Sequence, residues 1–178
     1  MSIEKEKTVD HRTMYEGKLL HVYFDEVEIA GKVYRREVVK HPGASAIIPV
    51  TADKEIIFVK QYRYPIKKEL LEIPAGKLDG KEAPITCAAR ELKEETGCTG
   101  NLRELGYIYT TPGFSDEKIH LFIAEQLVYT EQHLDEGEYL DIVKISVPEV
   151  FQMVKAGKFY DAKTLSALIM AEEYLQSL

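Results

Sequence analysis

The segment Glu82–Thr96 constrains the fold of this chain more than any other. Pro84 is compatible only with the first turn of a helix, and Gly97 suits the left-handed residue that ends one, so a helix is predicted between them. Within it Ile85, Ala88, Ala89 and Leu92 follow the i, i+3, i+4, i+7 spacing and predict one apolar stripe. A helix with a single apolar face must lie on another layer. The chain supplies that layer as short runs rich in β-branched and aromatic residues. Leu19–Ile29 and Lys32–Lys40 read as strands around the turn Ala30-Gly31, followed by Ala46–Val50, Ile56–Gln61, Leu70–Ile73, Leu105–Tyr109, Lys118–Glu125 and Leu140–Ser146. Two more helices are predicted at Pro148–Ala156 and Thr164–Gln176. The expected class is α/β, with helices outside a central sheet. His41-Pro42-Gly43 punctuates the chain and predicts a boundary between an N-terminal β extension, residues 1–41, and a main domain, residues 42–178.

Composition narrows the function classes. The 178 residues suffice for one domain with a small appendage. With 23 basic and 30 acidic residues the net charge is −7, which argues against a broad phosphate-gripping surface and against nucleic acid as partner. A small phosphorylated ligand needs only one or two cations and stays compatible with that charge. Cys87 and Cys98 lack CxxC spacing, so neither a disulfide framework nor a structural zinc site is expected. No run approaches the roughly 18 apolar residues of a membrane span, and the first residues lack the apolar core of a signal peptide. The expected setting is reduced and cytoplasmic, without membrane association.

The chemistry concentrates in the predicted helix. At about 100° per residue Glu91 and Glu95 project together along one edge of the apolar stripe, with Glu94 farther toward solvent. Like charges at i, i+4 repel each other, more so near a buried face. A divalent cation would relieve the repulsion: Mg²⁺ prefers oxygen ligands and commonly bridges carboxylates to a substrate phosphate. The same glutamates would also be satisfied as a solvated face paired with Arg90 and Lys93.

The wider spacing separates these readings. Gly76, Glu82, Arg90, Glu91, Leu92, Glu94, Glu95 and Gly97 fall in register with G-x5-E-x7-R-E-U-x-E-E-x-G-U, where U is a bulky aliphatic residue. The segment resembles the Nudix box, departing from it only at Cys98, the last aliphatic position. The resemblance implies a Nudix-type α/β/α sandwich around a mixed sheet, with a small N-terminal β-hairpin extension. It also implies hydrolysis of a nucleoside diphosphate linked to another moiety, using Mg²⁺ or Mn²⁺. Carried over, Glu91 and Glu95 would hold metal, Glu94 would assist, and Arg90 would orient the acidic cluster, with Glu82 supporting the loop–helix junction.

The flanks resemble the ADP-ribose pyrophosphatase subfamily. Pro112 lies fifteen residues past Gly97, inside Thr111-Pro112-Gly113-Phe114-Ser115-Asp116-Glu117, which is similar to that subfamily's S/T-P-G-x-S-x-E stretch. Thr111 and Glu117 are the implied ligand contacts. Glu72-Ile73-Pro74-Ala75-Gly76 resembles its E-x-P-A-G lead-in, which implies the Ala75 carbonyl as a metal ligand. Gln61-Tyr62-Arg63 resembles its Q-x-R segment, implying Arg63 as a phosphate clamp. Leu134-Asp135-Glu136-Gly137-Glu138 resembles its acidic loop, with Glu136 matching the general base and Glu138 a further metal ligand. A base on a mobile loop would assemble only with its substrate.

In this subfamily the N-terminal strands exchange contacts across a homodimer, and the partner contributes to the adenine pocket. Lys18 and Leu19 match that pocket, and Arg36 and Glu37 match ligand contacts. The implied reaction is Mg²⁺-dependent conversion of ADP-ribose and water into AMP and ribose 5-phosphate by a homodimer. The alternatives are another nucleoside diphosphate sugar as substrate, or an ADP-ribose-binding sensor without turnover; the intact Glu91, Glu94 and Glu95 set speaks against the sensor.

Overall fold

The computed structural model describes residues 3–178. They divide into two compact units: the described part of Met1–Gly43 together with Tyr109–Lys118, and Ala44–Ile108 together with Ile119–Leu178.

The first unit is built on an antiparallel three-stranded sheet, β1 (Lys7–Glu16), β2 (His21–Ile29) and β3 (Lys32–Lys40), in the order β1-β2-β3. The β2–β3 hairpin is the pair expected from the alternation. Its turn residues Ala30 and Gly31 both have positive φ, 49° and 77°, as a two-residue hairpin demands. Strand β1 was not expected. Its apolar side chains Val9, Met14 and Tyr15 stay exposed, and two register shifts, between Thr8 and Asp10 and between Thr13 and Tyr15, break the period of two. A strand held by its backbone ladder, without a buried face, leaves no hydrophobic pattern to read. Segment 109–118 joins this unit through backbone hydrogen bonds, the Val39 N–H donating to the Phe114 carbonyl at 2.7 Å and the Asp116 N–H to the Val39 carbonyl at 3.3 Å. Asp116 also accepts from Lys40 at 2.9 Å and from the His41 N–H at 3.0 Å.

The second unit contains two sheets. One has the order β7-β4-β9-β8, with β4 (Ala44–Pro49) antiparallel to β7 (Ala75–Lys77) and parallel to β9 (Lys118–Tyr129), and with β8 (Cys98–Tyr109) at its edge. The other has the order β10-β5-β6, with β5 (Glu55–Arg63) antiparallel to both β10 (Leu140–Ser146) and β6 (Lys68–Glu72). Strand β4 is buried along its whole length and so reads as a continuous apolar run. Its alternation divides the core in two. Ile47, with Ile57 and Phe122, packs under Ala88 and Leu92 of helix α1 (Pro84–Thr96). Ala46 and Ile48 face the opposite way, into a cluster with Phe151 of α2 (Val147–Lys155), Leu168 of α3 (Ala162–Met170) and Leu175 of α4 (Glu172–Ser177). The mixed sheet is thus covered by helices on both faces, the α/β/α arrangement. Cys87 and Cys98 are both buried and unpaired.

Two helical expectations change. The C-terminal helix is broken at Ala171, where the backbone leaves the helical region and two helices, α3 and α4, meet. The apolar stripe of α1 is also rotated. Ile85 is 51% exposed and Ala89 is exposed, whereas Cys87, Ala88, Glu91, Leu92, Glu95 and Thr96 are buried. The i, i+3, i+4, i+7 period holds, but on a face that includes two glutamates. Any reading that reserves the buried face for apolar side chains puts it one step away.

Helix α1 ends at Gly97, whose φ of 64° is left-handed and whose N–H donates to the Lys93 carbonyl at 2.9 Å. A Cβ there would meet the Thr130 carbonyl oxygen at 2.9 Å and the Gln132 nitrogen at 3.0 Å, both backbone atoms. Gly80 also has positive φ, 57°, but open space around it. Gly97→Ala is therefore expected to cost about 2–3 kcal/mol and Gly80→Ala only about 1 kcal/mol. Urea unfolding of the two variants reads this directly, and equal losses would contradict the steric account.

Candidate active site

Helix α1 is set against the sheet by polar as well as apolar contacts. The buried Ser45 hydroxyl donates to the Pro84 carbonyl at 2.8 Å, fixing the first turn over β4. The rotated stripe then carries Glu91 and Glu95 to the inner face, 8% and 4% exposed. Across from them runs the stretch from Ile73 to Gly76. The Ala75 N–H donates to Glu95 Oε2 at 2.9 Å. Gly76 lies so close to Glu91 that a Cβ would stand 1.9 Å from Glu91 Oε1. Only glycine lets this backbone run under the Glu91 carboxylate.

Arg90 is the hub of the acidic cluster. Its guanidinium donates to both Glu82 oxygens at 3.2 and 3.1 Å, to Glu91 at 2.6 Å, to Glu94 at 2.9 Å and to the Lys77 carbonyl at 3.1 Å. One cation is thus shared among three carboxylates, and its hydrogen bonds to the Glu82 carboxylate lead in raising its pKa. Shared in this way, Arg90 does not offset the burial of Glu91, whose pKa is pushed up to about 7 by desolvation, with Glu94 and Glu138 adding repulsion. Burial likewise pushes Glu95 up to about 8 against the lowering effect of the Ala75 N–H, and the charges of Glu91 and Glu138 raise it further.

Two residues of the loop 131–139 hang from the end of α1. Gln132 Nε2 donates to the Glu95 carbonyl at 2.5 Å and the His133 N–H to the Glu94 carbonyl at 3.1 Å, satisfying carbonyls that the helix leaves unpaired. Glu138 lies beyond, near enough to raise the pKa of both buried glutamates. Glu136 is exposed on the same loop and, among the described residues, its side chain makes no hydrogen bond or ion pair.

Arg63, at the end of β5, is held by Glu72 of β6. Its Nε and Nη2 each donate to one Glu72 oxygen at 2.7 Å. Glu72 is 1% exposed and is also paired with the buried Lys163 of α3. Burial raises its pKa, but the Arg63 hydrogen bonds and the Lys163 charge outweigh this, so the net shift is downward. Sequence reasoning missed Lys163, Asp161 and Thr164, which lie 91 positions from Glu72 and Ile73 in the case of Lys163 and Thr164. Contacts at that separation leave no local signal.

The remaining residues singled out from sequence belong to the first unit. Lys18 and Leu19 lie in the connection from β1 to β2, and Glu37 sits opposite Phe24 in the β2–β3 ladder. Arg36 is held by Glu6 in a two-pronged ion pair at 2.9 and 2.8 Å. The Thr111 carbonyl accepts the N–H groups of Phe114 and Ser115, forming a turn, and Glu117 accepts the Thr110 hydroxyl at 2.6 Å.

Among the described residues, no three His, Cys, Asp or Glu side chains form a ready metal cage. The donor set is of another kind: two buried carboxylates one helical turn apart, facing the Ala75 backbone, and a third carboxylate, Glu138, in electrostatic range. All-oxygen donors with few protein ligands suit a hard divalent cation that keeps several waters. Without it, burial makes both carboxyls hold their protons to higher pH than exposed glutamates do.

That preference has a measurable sign. A pKa raised on folding from 4.5 to about 7 or about 8 means the folded protein holds these protons more tightly. The associated stability is present in full below pH 4.5 and is lost as pH rises through those folded values. Metal-free protein should therefore melt at progressively lower temperature between pH 5 and 9, and Glu95→Gln should flatten the decline. Calorimetry across that range tests it, and a Tm that rises with pH in metal-free protein would contradict the assigned burial.

Known proteins resemble this chain in sequence and in fold. The chain is 42% identical over 176 residues to a protein named ADP-ribose pyrophosphatase from Bacillus subtilis (strain 168), covering 97% of this chain and 93% of that one. It is 41% identical, with the same coverage, to a protein named methanol dehydrogenase activator from Bacillus methanolicus. A crystal structure described as an ADP compounds hydrolase superposes with a TM-score of 0.86 over 99% of this chain and 97% of its own, at 24% identity, and shares the fold. Residues 39–168 match the NUDIX domain, which spans β4 to α3 and every residue of the α1 cluster, so the chain belongs to the Nudix family.

Proposed function

We propose that this protein is a Mg²⁺-dependent ADP-ribose pyrophosphatase, cleaving ADP-ribose into AMP and ribose 5-phosphate. The observation that carries the reading is the pair of buried glutamates on α1, Glu91 and Glu95, facing the Ala75 backbone. The substrate is suggested by the name of the Bacillus subtilis relative, which matches nearly end to end.

Glu91, Glu95, Glu138 and the Ala75 carbonyl would hold the metal, with Mn²⁺ as a possible substitute. When bound, the metal neutralises the pyrophosphate and polarises a phosphorus. Glu136 accepts a proton from the attacking water. The water oxygen bonds to phosphorus as the bridging P–O bond breaks, and the departing phosphate keeps the electron pair. Arg63 binds a phosphate oxygen through Nη1, the nitrogen that Glu72 does not engage. Arg90 keeps Glu91 and Glu94 in place without touching substrate, and Glu94 serves as an auxiliary carboxylate. Lys18, Leu19, Arg36, Glu37, Thr111 and Glu117 bind the rest of the nucleotide sugar.

The protein acts as a homodimer in this reading. The N-terminal sheet leaves Val9, Met14, Tyr15, Val33 and Tyr34 exposed, apolar side chains that a second copy of the chain would cover. No helix among the described residues is long and apolar enough to cross a membrane, and the two unpaired buried cysteines agree with a reducing cytoplasm.

A panel of ADP-ribose, GDP-mannose, ADP-glucose and a damaged nucleoside triphosphate, assayed with Mg²⁺, tests the reading. ADP-ribose should give the highest kcat/KM, and Glu95→Gln should lower it by about 100-fold or more. Turnover undiminished in Glu95→Gln would remove the metal site from the reaction, and a clear preference for another compound would overturn the substrate.

A further inference from the structure

The stretch Ile73–Ala75 must hold its shape for the Ala75 amide to meet Glu95, and each of its residues is pinned by one hydrogen bond. The Ala75 N–H goes to Glu95 Oε2 at 2.9 Å, and the Pro74 carbonyl accepts the Ile47 N–H at 2.9 Å. The third pin comes from α3: the Ile73 N–H donates to Thr164 Oγ1 at 2.9 Å. Thr164 is fully buried, and its hydroxyl direction is set by a neighbour. Asp161, the N-cap of α3, takes both the Thr164 N–H at 2.9 Å and the Thr164 hydroxyl at 2.5 Å on Oδ2. An ionised carboxylate only accepts, so the hydroxyl proton is committed to Asp161 and a lone pair is left for Ile73. One residue earlier on the same turn, Lys163 grips Glu72. The first turn of α3 thus holds residue 72 by its side chain and residue 73 by its backbone, immediately before the site.

We propose that Thr164 is a positioning residue for metal binding: through Asp161 and Ile73 it fixes the backbone that carries the Ala75 carbonyl and the Glu95 contact. The inference rests on the metal site described above. Thr164 touches neither substrate nor metal and acts through two residues of backbone. Removing its oxygen leaves the Ile73 N–H buried without an acceptor and frees the stretch to shift. Partners that orient ligands in this way typically contribute 10- to 100-fold in metal affinity.

The test is a Mn²⁺ titration of the full chain without substrate, read by electron paramagnetic resonance of the free ion, alongside Tm. Thr164→Val should raise the Mn²⁺ Kd about 10-fold, while Thr164→Ser, which keeps the oxygen, should bind like wild type. Leu168→Ala, a core truncation on the same helix, should lower Tm and leave the Kd unchanged. Thr164→Val with wild-type affinity, or Leu168→Ala weakening Mn²⁺ as much as Thr164→Val, would overturn the positioning role and leave the metal site standing. Wild-type protein that binds no Mn²⁺, or Glu95→Gln that binds it undiminished, would overturn the metal site and this inference with it. Wild-type protein offers a second measurement that needs no variant at residue 164. Amide exchange at Ile73 and Ala75 should slow together on adding Mg²⁺, and slowing at Ala75 alone would contradict the coupling.

Discussion

Two carboxylates removed from water on the inward face of one helix are the constraint around which the second unit is organised. Burying Glu91 and Glu95 is unfavourable for their charged forms, and the structure does not supply each with a cation of its own. Arg90 could have neutralised Glu91, but it is spread over Glu82, Glu91 and Glu94. Lys163 could have served Glu95, but it is bound to Glu72 and Asp161. The unit therefore holds negative charge in a place where protons or a divalent cation are the remaining means of compensation. A chain with net charge −7 repels phosphates in general, yet a metal at this point would make one site attractive to them.

The surroundings explain why this charge is tolerated. Apolar contacts of Ala88 and Leu92 with Ile47, Ile57 and Phe122 seat α1 on the sheet. Ser45 fixes its start, and Gly97 turns the chain away at its end. From there the hydrogen bonds of Gln132 and His133 tie the acidic loop to the last carbonyls of the helix. The helix is held along its length, so its glutamates cannot rotate to solvent without loss of core packing.

The legibility of the fold in the sequence followed what each element buries. Strand β4 and helix α1 were readable because burial imposes period and Pro84 and Gly97 mark the ends. Strand β1 was not, because it buries almost nothing and its bulges break the alternation. The α1 stripe was misplaced because two of the residues that occupy the inner face are glutamates, against packing preference, while Ile85 is left outside. The spacing of Glu82, Arg90, Glu91 and Glu94 pointed to the cluster that the structure gathers around Arg90. Residues 161–164 stayed hidden, since an aspartate, a lysine and a threonine opening a helix look like ordinary capping until the fold carries them to Glu72 and Ile73.

Proton release on metal binding tests the central claim most directly. Carboxyls held partly protonated by burial must give up protons to bind a cation. Isothermal titration of the protein with Mg²⁺ near pH 7, in buffers of different ionisation enthalpy, counts those protons. Burial of Glu91 and Glu95 predicts net proton release, with affinity that strengthens as pH rises through about 7 to about 8. Binding without proton release, at an affinity independent of pH across that range, would show that these carboxylates are already ionised and that the constraint described here does not exist.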